Sequence, residues 1–115
     1  MSRIELIGLE EIGEVHPGAS VGRLISQACS RQKIALSDDD VLVIAHKIVS
    51  KAEGRILGLE TIQPSRRAVE LARELDKEPA LVQVILDESR RVIRSGGHAL
   101  IVETHHGFIC ANAGV

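Results

Sequence analysis

The amino-acid sequence predicts an α+β fold, α/β-like in the order of its elements: a mixed β-sheet, one amphipathic helix near the N-terminus and a central αα-hairpin. Three observations carry this. Val21, Leu24, Ile25, Ala28 and Cys29 fall at the spacing of an amphipathic helix with one apolar stripe. Two further stretches with apolar faces, 65–75 and 79–89, are parted only by the short break at 76–78, the pattern of two helices folded back on each other. Around them lie short β-branched and aliphatic runs, at 4–9, 41–44 and 99–111, which read as strands. Helical and strand segments interleaved in this way point to a layered mixed architecture.

The elements follow in order. Ile4 to Leu9 is apolar enough for a first strand, and Glu10 to Gly18, with Gly13 and Pro17, reads as a loop. Ser20 is a good N-cap for the first helix, which ends near Arg31 to Lys33, because a serine hydroxyl can satisfy a free amide of the first turn. Ser37 to Asp40 is a turn into Val41, Leu42, Val43 and Ile44, a run that suits a strand buried on both faces. Ile56 to Ile62 is a short strand or an irregular connection. Pro64 and Ser65 signal a helix start, and Ala68, Val69, Leu71, Ala72 and Leu75 give that helix its apolar face. Pro79 suits the first position of the next helix, which runs to about Ser89 with Leu81, Val82, Ile85 and Leu86 apolar. Val92 and Ile93, the Gly96-Gly97 break, Ala99 to Thr104, and Phe108 to Ala111 about His105, His106 and Gly107 then read as a hairpin.

Composition narrows the function classes. The 115 residues fit one domain, residues 1–115, and 44% are hydrophobic while Phe108 is the sole aromatic, so the core must be built from Val, Ile, Leu and Ala. With net charge −2 and an isoelectric point near 6.2, nucleic-acid binding lacks both its stacking platform and its electrostatic drive. No apolar run approaches the roughly 18 residues of a membrane span, and MSRIELIGLEE lacks a charged-then-apolar signal pattern, so a cytoplasmic protein is expected. Cys29 and Cys110 stand alone in apolar segments and read as reduced thiols rather than a disulfide or metal pair.

The chemistry concentrates in residues 46–55. His46, Lys47, Ser50 and Lys51 crowd the end of the expected strand at 41–44, followed by Glu53, Gly54 and Arg55, and strand ends are where α/β folds bind ligands. Lys47, Lys51 and Arg55 recur every four residues, which on a helix lines them along one face. Such a ridge can bind phosphate, with lysines as point charges; it can equally be a solvated face paired with Glu53, and spacing leaves both readings open. His46 can donate to a phosphate or base edge, or simply hydrogen-bond locally. Gly13, Gly18 and Ser20 outline a P-loop, but Ala19 stands where its lysine belongs, so the loop is a glycine turn or a source of backbone groups for a ligand held from elsewhere. Adjacent His105 and His106 point to opposite faces of a hairpin and do not make a metal pair. His16 and His98 are isolated, and Asp38, Asp39 and Asp40 read as a solvated turn.

HKIVSKAEGR at 46–55 and CANAGV at 110–115 together resemble the coenzyme F420:L-glutamate ligase (gamma-glutamyl ligase) family. The stretch QPSRRAVELARELDKEPALVQVILDESRRVIR, 63–94, follows the same family's pattern of a helix pair leading to a strand, so the likeness runs along nearly the whole chain. SKAEGR and NAGV are its most specific parts. The resemblance implies an amide ligase that uses GTP to join L-glutamate to the deazaflavin precursor of coenzyme F420. It further implies divalent metal (Mg or Mn), a monovalent cation in the complete enzyme, and a homodimer. Carried over residue by residue, it places GTP contacts at Ile12, Gly13, Glu14 and Val15, at His46 and Lys47, and at Lys51, with Ser50, Gly54 and Arg55 as supports. In the family, NAGV is followed by a metal-binding aspartate and a second half of the chain. This sequence stops at Val115, so it is expected to be either the N-terminal part of a larger ligase fold, inactive alone and without catalytic or metal residues, or a truncated nucleotide-binding or dimerisation module.

Overall fold

The computed structural model describes residues 2–115, which form two compact units, one ending at Ile56 and the other beginning at Leu57. The first unit holds α1, Val21–Arg31, and α2, His46–Ala52. Ser20 caps α1 by accepting a hydrogen bond from the Arg23 amide. At its other end Lys33, with φ 57°, donates to Ser30 while Ile34 donates to Cys29, which satisfies the last-turn carbonyls that a helix leaves open. Ile25, Ala28 and Cys29 of the anticipated stripe are buried, as are Val15 and Ala52.

The second unit holds α3, Arg66–Leu75, α4, Pro79–Asp87, and three strands: β1, Ser89–Gly96, β2, Ala99–Thr104, and β3, Ile109–Ala111. The signals that place the helices act as read. Ser65 accepts from the Ala68 amide at 3.2 Å, Asp76 takes a left-handed conformation that ends α3, and Pro79 opens α4. The sheet has the order β1-β2-β3, with Val102 paired to Val92 on one side and to Cys110 on the other. Leu100, Val102 and Thr104 of β2 are buried while their neighbours are only half-buried, the period-two alternation of a strand with one covered face. That face closes on the hairpin of α3 and α4: Ala68, Ala72, Leu75, Val82, Ile85, Leu100 and Val102 make one core, free of aromatics.

Two histidines, the isolated His98 and His105 of the adjacent pair, have structural duties in this unit. The β1–β2 turn runs through Gly97 (φ 59°) and His98 (φ 65°), the two left-handed positions of a type I′ hairpin. The His98 ring nitrogen Nδ1 meets the Leu75 carbonyl at 3.2 Å, and His105 Nε2 meets the Asp87 carbonyl at 2.8 Å. Each ring thus donates to a carbonyl at the C-terminus of α3 or α4, where intrahelical partners run out.

The α+β class and the αα-hairpin are observed, with two corrections. Residues 4–9 and 41–44 form no strand, and the pairings present are all antiparallel, so the sheet of the described residues is not mixed. The physical reason is pairing. A strand needs a neighbour for its amides and carbonyls, and no backbone–backbone hydrogen bond reaches either segment among the described residues. Residues 56–62 resolve as an irregular connection with one 3-10 turn at Leu59–Thr61. The three acids at 38–40 belong to a turn that Asp40 closes by accepting from the Ser37 amide at 2.8 Å. Both cysteines are free thiols, Cys29 buried and Cys110 half-buried.

Candidate functional site

The cationic segment lies on α2 and the turn that ends it. Because 41–44 is not a strand, the site stands at a loop-to-helix junction rather than at a sheet edge. α2 runs only to Ala52, with Glu53 as its C-cap. The chain then turns through Gly54 at φ 67°, where the Gly54 amide donates to Lys51 and the Arg55 amide to Ser50 at 2.8 Å. This is the paired closure of a helix ending in a left-handed glycine. Lys47 and Lys51 therefore share one helix face, but Arg55 lies past the helix end, and the expected three-residue ridge is a pair. Gly54 acts through its backbone: a side chain there would meet a conformation that L-residues rarely adopt. Ser50 Oγ lies 3.1 Å from His46 Nε2, one turn along α2.

The glycine loop is pinned against this helix. The Gly18 amide donates to the Ala52 carbonyl at 2.8 Å, and Pro17 packs beside Gly54. Val15 is buried and Ile12 half-buried, which anchors the loop from below, while Gly13 takes φ 78° between them. The intervening residue reaches across: Lys51 donates a short hydrogen bond to the Glu14 carboxylate. Lys51 is 26% exposed and Glu14 64%. That hydrogen bond, and the lysine charge behind it, hold the Glu14 carboxyl below its ordinary range. The partner of Lys51 is thus Glu14, and the solvated-face pairing with Glu53 is not formed.

Of the residues singled out from the sequence, the structure brings Ile12, Gly13, Glu14, Val15 and Lys51 into one neighbourhood, with His46 and Ser50 linked to each other one turn earlier on α2. Lys47 is exposed. The carboxylate of Glu14 is the feature that spacing missed, since Glu14 and Lys51 stand 37 positions apart and no local pattern joins them. Chemically, a lysine steadied by an exposed carboxylate is a positioned cation. Its ammonium can exchange a carboxylate oxygen for a phosphoryl oxygen, both being anionic acceptors of charge-assisted hydrogen bonds. Among the described residues no group of three or more His, Cys, Asp or Glu side chains is placed to hold a metal ion, and no helix is long and apolar enough to cross a membrane.

Residues 10–115 match the family model described as F420-0:gamma-glutamyl ligase. The chain belongs to the F420-0:gamma-glutamyl ligase family. It is 46% identical over 112 residues to the coenzyme F420:L-glutamate ligase of Methanothermobacter thermautotrophicus, an alignment covering 97% of this chain and 44% of that protein. The ligase of the same name from Methanocaldococcus jannaschii is 40% identical, covering 98% and 43%, and that of Archaeoglobus fulgidus 36% identical, covering 98% and 43%. The chain thus spans less than half the length of the curated relatives it matches. The glycine loop, α2 and the Gly54 turn all fall inside the span matched to the F420-0:gamma-glutamyl ligase family.

Proposed function

We propose that this chain is the N-terminal, nucleotide-contacting part of a GTP-dependent ligase that joins L-glutamate to the deazaflavin precursor of coenzyme F420. The observation that carries the reading is the steadied Lys51 beside the glycine loop, inside a chain that matches this family along nearly all its length. Backbone amides at Ile12, Gly13, Glu14 and Val15 face the nucleotide, Lys51 leaves Glu14 for a phosphoryl oxygen, and Lys47 and His46 flank it at the start of α2. Ser50, Gly54 and Arg55 support the turn that fixes Lys51.

In the reaction, the terminal phosphoryl group of GTP passes to the precursor carboxylate, leaving GDP and an acyl phosphate. The glutamate amine then attacks the acyl carbon, phosphate departs, and the amine nitrogen loses a proton to become the amide. A preorganised lysine lowers the cost of charge developing on the transferred group. The divalent ion, Mg or Mn, and any monovalent cation are proposed to take their donors from the length of the family that this chain does not span. The assembled enzyme is proposed to be a cytoplasmic homodimer. Glutamate incorporation into the precursor, measured with GTP, Mg or Mn and L-glutamate, tests the assignment. The chain alone is inactive and becomes active when joined to the remaining portion of a relative; turnover by residues 1–115 alone, or none by the joined protein, refutes it.

A further inference from the structure

In the first unit, residues 4–9 and 41–44 combine three properties that do not normally coexist. Their composition is that of strands, their backbone groups have no backbone partner among the described residues, and most of their apolar side chains are exposed. Ile4 is 89% exposed, Leu6 93%, Val41 85% and Val43 91%. Leu42 and Ile44 are less exposed than Val41 and Val43, the alternation of an extended segment with one side against its own protein. Together with Leu24 and Ile25 of α1 and Ile48 of α2, the two segments border an open apolar trough of about 520 Å³. Soluble proteins rarely leave so continuous an apolar surface uncovered, and unpaired strand edges invite another strand.

We infer that this trough is the seam at which the rest of the ligase domain docks, by adding β-strands to 4–9 and 41–44 and seating their apolar side chains in the trough. The inference rests on family membership rather than on the nucleotide reading. Each relative described above is more than twice as long as its matched part, so in those proteins a polypeptide larger than that part needs a surface to pack on. Strand addition satisfies the free amides and carbonyls and covers alternate side chains in one step. A second copy of this chain would bring further unpaired segments of its own and leave that larger polypeptide without a seat.

The test is co-expression of residues 1–115 with the portion of the Methanothermobacter thermautotrophicus ligase that lies beyond its matched part, without nucleotide, followed by co-purification and amide hydrogen exchange. A one-to-one complex is expected, with exchange at 4–9 and 41–44 slowed by about 100-fold or more, as for amides in core strands. Leu6→Lys and Val43→Lys should abolish the complex while leaving the melting temperature of the chain alone unchanged, since both side chains are almost wholly exposed. The inference is overturned by failure to form a complex, by a complex in which these amides stay unprotected, or by variants that bind as well as the parent. Protection of the same amides by self-association of the chain alone also overturns it, in favour of a second copy. Because no nucleotide is present, failure here leaves the GTP reading to its own test.

Discussion

Truncating Leu100 to alanine should be the most damaging single change in the second unit. Leu100 is fully buried on β2, packed in the cluster that joins α3, α4 and the sheet. Its backbone amide is held independently by Asn112 Oδ1 at 3.0 Å, so the substitution removes side-chain packing while leaving the strand bonded. Three carbons are lost, worth about 2.4 kcal/mol at roughly 0.8 kcal/mol each. A cavity contribution is added because the surrounding Leu75, Val82 and Ile85 are themselves fully buried and helices tied to the sheet collapse only in part, giving about 3 to 4 kcal/mol in total. For a unit of this size that corresponds to a fall in Tm of roughly 12 to 30 °C. The sequence has no Trp or Tyr, so urea and thermal unfolding should be followed by far-UV circular dichroism. A loss below about 1 kcal/mol would refute the assignment of this cluster as the core.

Other outcomes follow from single contacts. Ser65→Ala removes the hydroxyl that accepts from Ala68 and should cost about 1 kcal/mol in the same assay. Gly54→Ala places a side chain at φ 67° and should cost about 1 kcal/mol or more, loosening the end of α2. Glu14 should titrate below its ordinary value of 4.5, because Lys51 donates to it and adds its charge. The stabilisation from that pair is therefore present above the unfolded value and lost as pH falls through the depressed one. Carboxyl chemical shifts followed by NMR should show the depressed midpoint, and Lys51→Ala should return it to the ordinary range.

Local signals in the sequence were reliable wherever the structure itself is local. Ser20, Ser65 and Pro79 mark helix starts because a cap or a ring without an amide acts within one turn. Pairing was not legible in the same way. The runs at 4–9 and 41–44 have strand composition, yet composition does not name a partner, and among the described residues they have no backbone partner. The candidate site divides in the same way. Spacing shows Lys51 only as one of three regularly placed cations, which the family resemblance narrows, whereas its hold by Glu14, the end of the ridge before Arg55, and the helix-end roles of His98 and His105 depend on contacts that no local pattern announces. Arg55 leaves the ridge because Gly54 turns the chain, a consequence of backbone freedom rather than of charge spacing.

Lys51 is the centre of the functional reading, and NMR titration of residues 1–115 with GTP tests it directly, since the method detects millimolar affinity. Replacing one charge-assisted contact, worth about 1.5 to 3 kcal/mol, predicts that Lys51→Ala weakens GTP binding by roughly 10- to 150-fold, with the parent chain's shifts centred on residues 12–15 and α2. Equal affinity of the two proteins, no binding by either, or shifts centred in the second unit would contradict it.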